Sequence, residues 1–287
     1  EFKGDVTLTE EHLTAGTFLT GGTNGEMIDK SVHVKSLEII ESMYVNTIAY
    51  IGNDEEIRKL YTANVIRLRE NEGIKVRLVY YANGDNLADY PGIVEVYNTT
   101  LDNPKKPYEL TYWVLGQLAG CELGKTLVNK KYDGEYNFDS VTNTRDARNL
   151  LKNGKFVLYK VDGENKVLDD INSYISYQKA NNANDNYLTE DFKNNQVIAT
   201  VDQRSIDIAY TFNNRFIGEP NDTDGRIALW NALVKGAENL QKTRAISNYK
   251  DTDTEVLPGN EKHQVIVNEQ ITPTVAMKEL YVTIYVI

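Results

Sequence analysis

One cysteine and three histidines are all that 287 residues offer to sulfur or imidazole chemistry. A lone Cys121 excludes an intrachain disulfide. Its place in an apolar helical pattern reads as a small buried residue rather than a nucleophile, and the expected folding compartment is reducing. His12, His33 and His263 have no HxH or HxxxH spacing to hold a metal, so all three are expected to be structural. Basic charge is also short. With 31 Lys and Arg against 42 Asp and Glu, the net charge of -11 argues against nucleic acid or an anionic membrane as partner. No run approaches the ~18 apolar residues of a membrane span, and the opening EFKGDVTLTE lacks the basic and apolar regions of an export signal. It also lacks an initiator Met, so a processed chain or a piece of a longer one is expected, with Glu1 and Phe2 as a cloning remnant.

Catalytic motifs are missing in the same way. No GxSxG places a serine on a sharp turn, which disfavours a serine hydrolase. GGTNG at Gly21 to Gly25 lacks the GK[ST] ending of a phosphate-binding loop and carries Glu26 where a lysine would neutralise phosphate; glycines at positive φ explain it better. NDTDG at Asn221 to Gly225 resembles part of a calcium loop. Pro220 and Asn231 fall where the first and the bidentate carboxylates belong, so a turn with a helix cap is expected instead. DTDTE at Asp251 to Glu255 has no glycine and reads as a solvated loop, and the adjacent Asp169 and Asp170 should face opposite sides of an extended chain. No catalytic, metal or cofactor-binding residue emerges.

What is present is regular. A helix is predicted over Ser31 to Met43, then a buried strand VNTIAYIG. A second helix is capped at Asn53, carries Ile57, Leu60, Tyr61, Val65 and Leu68 at helical spacing, and stops at Gly73. Strands follow over Lys75 to Tyr81 and Gly92 to Asn98, then a helix opened by Pro107 with Leu110, Trp113, Val114, Leu118 and Cys121 on one face. This order points to helices packed on a mainly parallel sheet. DARNLLKNG reads as a short helix, and KFVLYKVDGENKVLDD as two strands turning at Asp162 and Gly163.

From Ser176 to Asn195 the chain is polar, asparagine-rich and without period, as an exposed connection would be. Two helices follow, about Gln196 to Asn214 and Asp224 to Lys242, then HQVIVNEQI. The chain closes on KELYVTIYVI, in which Leu280, Val282, Ile284 and Val286 alternate with Tyr281, Thr283, Tyr285 and Ile287. Both faces are largely apolar. A terminal strand of this kind must be covered by its own domain or paired with another chain.

Three stretches carry a resemblance. YWVLGQLAGCELGKTLVNKKYDG, Tyr112 to Gly134, keeps Gly116 and Gly120 at the spacing that lets a helix approach a neighbour closely; RFIGEPNDTDGRIALWNALVKGAENLQKTRAI spans Arg215 to Ile246; VIVNEQITPTVAMKELYVTIYV spans Val265 to Val286. In this order they resemble the contractile tail sheath proteins of bacteriophages, in the form found in prophage-like particles and R-type bacteriocins. The likeness runs from about Leu19 to the end.

The resemblance implies an α/β domain of subtilisin-like shape without a protease triad, followed by an α+β C-terminal sheath domain. The expected division is 1–18 leading from a missing N-terminal region, 19–171 the α/β domain and 172–287 the C-terminal domain. It further implies a structural, non-enzymatic subunit, made in the bacterial cytoplasm and assembled into a phage-like tail. Its partners would be neighbouring sheath subunits, an inner tube protein and a baseplate, with no cofactor, nucleic acid or membrane. Subunits would be linked by strand exchange, a form of β-augmentation, and contraction would release a metastable arrangement. The N-terminal arm and small N-terminal domain of such proteins are not visible, so a fragment that stays monomeric or forms small oligomers is expected.

The expected exchange residues are Leu280, Val282, Ile284 and Val286, pairing with the segment around Val265 and Val267. The expected tube contact is the helix bearing Arg226, Lys235, Lys242 and Arg244. Two alternatives remain at this point: a carbohydrate- or surface-binding module using some of the 19 tyrosines as stacking platforms, or a degenerate hydrolase-like domain.

Overall fold

The computed structural model describes residues 28–84, 88–179 and 188–285. His12 and the GGTNG loop lie outside these residues. The first part is a parallel sheet with strand order β1-β2-β3-β4: β1 Thr47–Tyr50, β2 Arg77–Tyr81, β3 Ile93–Val96 and β4 Lys155–Phe156. Helices cover both faces, so its strands are near-continuous apolar runs rather than alternating ones. Leu78, Tyr80 and Ile93 pack with α1 (Lys30–Glu41) and with Ile57, Tyr61, Val65 and Leu68 of α2 (Glu55–Glu70). Val79, Val94, Val96 and Phe156 point the other way, to Leu110, Val114 and Leu118 of α3 (Leu110–Gly120). Each such aliphatic side chain, fully buried, contributes about 1.5–3 kcal/mol.

One row across this sheet is polar. Tyr50 pairs with Tyr80, Tyr80 with Glu95 and Glu95 with Lys155, so all four share one face. The Glu95 carboxylate accepts hydrogen bonds from the Tyr80 hydroxyl at 3.0 Å, the Ala88 amide at 3.0 Å and the Lys155 ammonium at 2.6 Å. Burial beside Glu95 pushes the Tyr80 phenol far above its ordinary range.

Local differences from the sequence reading have identifiable causes. Asp54, not Asn53, caps α2, accepting from the amides of Glu56 and Ile57, while the Asn53 side chain accepts from Arg58. The run KFVLYKV is two strands. Lys155 and Phe156 join the main sheet, and β5 (Leu158–Val161) then pairs with β6 (Glu164–Val167) through Asp162 and Gly163, both at positive φ. A Cβ placed on Gly116 or Gly120 would meet nothing within 4 Å, so the close approach expected of that helix is not made among the described residues.

After α4 (Thr144–Lys152), the second part is built on α5 (Asn195–Arg215) and α6 (Thr223–Lys242), followed by β7 (Ile246–Ser247), β8 (Thr254–Pro258), β9 (Val265–Glu269) and β10 (Thr272–Pro273). DTDTE is therefore not wholly a loop: its first three residues form a 3-10 turn and Thr254 and Glu255 begin β8. The two parts are joined by buried polar contacts. Asp170 accepts from Thr126, from the Leu127 amide and from Asn195, and Arg69 of α2 reaches Asp202 of α5.

Candidate assembly interface

The site begins where α6 starts. Asp222 caps the helix by accepting from the Gly225 amide at 2.8 Å. A Cβ on Gly225 would stand 2.2 Å from the Pro220 carbonyl oxygen, so only glycine allows this turn. Asn221 donates to the carbonyls of Lys262 and Gln264, and Arg226 donates to the carbonyl and side-chain oxygens of Asn221. NDTDG thus ties the start of α6 to the turn between β8 and β9. Among the described residues, no group of carboxylates or imidazoles suits a metal.

β8 and β9 form an antiparallel hairpin with Val256 opposite Val267, Leu257 opposite Ile266 and Pro258 opposite Val265. Its base is held by a buried network. Arg204 of α5 donates to both oxygens of Glu269 and to the Leu233 carbonyl of α6. Thr254 donates to Glu269, and Trp230 donates to the Thr254 carbonyl. Gly236 leaves room for that guanidinium, since a Cβ there would meet Arg204 Nη1 at 2.7 Å. Bidentate pairing of this kind fixes geometry as well as charge. The hairpin is therefore rigid at its base, yet as a two-stranded sheet it has both outer edges open among the described residues. Leu257 and Ile266 are each 43% exposed on its outer face. An open groove of 540 Å³ adjoins β9 at Val265, floored by Phe212, Phe216 and Leu229, with Arg226, Lys262 and His263 among its other lining residues.

Among the described residues, the closing segment does not pair with β9 of its own chain. β9 already pairs with β8, and after β10 the described residues form no further helix or strand. β10 is hydrogen-bonded to β7, the Thr274 amide donates to the Ala245 carbonyl and the Ala276 amide to Gln196. Beyond that, Leu280, Val282 and Ile284 are 86%, 67% and 81% exposed, and Tyr281 and Tyr285 are as open. Val286 lies outside the described residues. The β7–β10 pairing leads the chain back toward Gln196 and Asp169, away from the hairpin.

The four basic residues expected on one helix surface are not brought together. Lys235 and Lys242, about two turns apart, share an exposed face of α6. Arg226, about two and a half turns before Lys235, is on the opposite side and engaged by Asn221. Arg244 lies beyond the helix at φ 63° and is exposed. His33 packs between Tyr50 and Tyr61, with Nδ1 3.3 Å from the Tyr61 hydroxyl. Burial pushes the half-buried Cys121 thiol up, which makes it a poor nucleophile. Arg204, Glu269, Arg69, Asp202 and Lys278 escaped the sequence reading, because their partners are distant in the chain and no local spacing marks them.

Comparisons with known proteins agree with this architecture. Residues 21–173 match the phage tail sheath protein central domain and residues 188–287 the phage tail sheath C-terminal domain. The uncharacterized protein YqbK of Bacillus subtilis (strain 168) is 25% identical over 288 residues, covering 95% of this chain and 59% of YqbK. The crystal structure of a sheath tail protein from Listeria innocua superposes with a TM-score of 0.76 at 26% identity, covering 90% of this chain and 59% of that one. The helical sheath of the anti-feeding prophage in its contracted state shares the fold, with a TM-score of 0.69 at 13% identity over 91% of this chain and 76% of that one. The chain thus spans about three fifths of the length of the YqbK and Listeria proteins. With both family domains matched in order across most of its length, the chain belongs to the phage tail sheath protein family.

Proposed function

We propose that this chain is the structural part of a contractile sheath subunit that polymerises around an inner tube by exchanging strands with its neighbours. One observation carries the reading: a single chain holds both an open-edged hairpin fixed at its base and a free, alternating apolar tail at Leu280 to Tyr285. Among the described residues neither has a strand partner beyond itself. An exposed apolar strand beside open sheet edges is a hazard unless it is meant to pair, and pairing between copies satisfies the backbone groups of both. In the donated strand Leu280, Val282, Ile284 and Val286 face inward with Val265 and Val267. The groove beside Val265 lies on the path of a strand laid along β9.

Lys235 and Lys242 form the tube-facing pair, with Arg226 and Arg244 peripheral to it. The subunit drives the tube through a cell envelope by release of a metastable assembly, without catalysis, and engages a baseplate in a phage-like particle built in the bacterial cytoplasm. The anti-feeding prophage chain, which has this fold, forms a helical sheath described in a contracted state. Electron microscopy of particles carrying Ile284→Asp tests the proposal. Loss of sheath around intact tubes is expected; normal sheaths contradict it.

A further inference from the structure

The root of the tail is held by a contact that the strand-exchange reading does not use. Lys278 Nζ donates to Asp169 Oδ1 at 2.5 Å and to Asn194 Oδ1 at 2.7 Å. The Lys278 and Asp169 side chains are only 23% and 17% exposed, in a groove of 610 Å³ that also takes in Val128, Leu168 and Val275. Met277, immediately before, is wholly exposed, and Leu280 just beyond is 86% exposed. Lys278 is thus a single fixed point between two free positions.

The contact reaches into the junction between the two parts of the chain. The Asp170 amide donates to Asp169, while the Asp170 carboxylate is buried against Thr126, Leu127 and Asn195. One of two adjacent carboxylates holds the tail and the other holds the junction. A pull on the tail is therefore delivered through Lys278 to the junction between the two parts.

Register gives this contact a purpose. A strand with one polar face is kept in register by its side-chain pattern, because a one-residue slip turns apolar groups to water. The tail has Leu280, Val282 and Ile284 on one face and Tyr281 and Tyr285 on the other, so a slip costs it little. Without Lys278 the next hold is the Ala276 amide on Gln196. Two residues of added slack are about 7 Å of extended chain, a shift of about two positions along a strand. We infer that Lys278, clasped by Asp169 and Asn194, is a positioning residue that fixes where the donated strand begins and so sets its register on the neighbouring subunit.

The clasp stands by itself; its role in register rests on the strand-exchange reading, and two measurements separate them. In the isolated chain with Cys121→Ser, spin labels at Asn149→Cys and Tyr281→Cys report the distance distribution between α4 and the tail. Lys278→Met and Asp169→Ala should broaden it and shift its mean, and Lys278→Arg should largely restore it. A distribution unchanged by Lys278→Met overturns the clasp. In particles, Lys278→Met should give sheaths of irregular pitch, unlike Ile284→Asp, which should give none. A broadened distribution with sheaths of wild-type regularity overturns the role in register.

Discussion

The guanidinium of Arg69 on α2 grips the carboxylate of Asp202 on α5 through two nitrogens, each 2.7 Å from its oxygen, 133 residues apart in the chain. Both side chains are about nine-tenths buried, and Arg69 also donates to the Val76 carbonyl. Removing one partner of a buried pair strands the other charge and costs about 3–5 kcal/mol. Arg69→Ala and Asp202→Ala should each lower the unfolding free energy measured in urea by that order. An apolar double replacement, Arg69→Met with Asp202→Leu, should recover most of it. A double-variant loss equal to the sum of the two single losses would show that the pair is not the source.

The buried row in the main sheet sets an alkaline limit. The Tyr80 phenol is raised by burial and by Glu95, so the native state favours its neutral form. That contribution is complete below the unfolded value near pH 10 and is lost as pH rises through the raised native value. Stability should fall above about pH 10, and Tyr80→Phe should flatten the fall while costing about 1 kcal/mol at neutral pH for its lost hydrogen bond. Equilibrium unfolding across alkaline pH checks both.

Gly236 sits within α6, where replacing glycine by alanine ordinarily stabilises by about 1 kcal/mol. Here the added methyl would press on Arg204 Nη1, and that guanidinium is already committed to Glu269 and the Leu233 carbonyl. Crowding a packed interior costs about 1–3 kcal/mol, so Gly236→Ala should destabilise on balance. Faster amide exchange in β8 and β9 should accompany it, with the main sheet unaffected.

Ending the chain after Glu279 removes residues that are exposed and without a strand partner among those described. Its melting temperature should stay within about one degree, as expected for surface changes of small energetic effect. Incorporation of the shortened subunit into particles should be lost.

Charge reversal at Lys235 and Lys242 should leave folding unchanged and weaken sheath association with the tube, most of all at low salt, where exposed charges act over longer distances. The same reversal at Arg226 should act differently, because its guanidinium holds Asn221 and through it the hairpin turn. Its first effect should be on stability.

Much of the fold could be read from local chemistry. The helical spacing of Ile57, Tyr61, Val65 and Leu68, the cap at Asp222 and the turn at Asp162 and Gly163 all depend on near neighbours. Errors arose where two local solutions were nearly equal, as with Asn53 and Asp54, or where one apolar run served two sheets, as at Phe156 and Leu158. The closing segment has an ordinary strand pattern, and that pattern cannot say in which chain its partner lies. Arg69 with Asp202, Arg204 with Glu269 and Lys278 with Asp169 were hidden for a further reason: ion pairs between distant residues leave no period in the sequence.

Strand exchange is tested most directly by disulfide trapping in assembled particles, in a Cys121→Ser background. Cysteine would be placed on the outer face of the hairpin at Ile266 or Leu257, and in the tail at Tyr281, Thr283 or Tyr285. Neighbouring strands bring paired Cβ atoms within disulfide reach. The predicted result is a ladder of dimers, trimers and longer covalent chains for at least one pairing on a nonreducing gel, collapsing to monomer on reduction. Monomer alone for every pairing, in particles whose sheaths are intact, would contradict exchange of the tail between subunits.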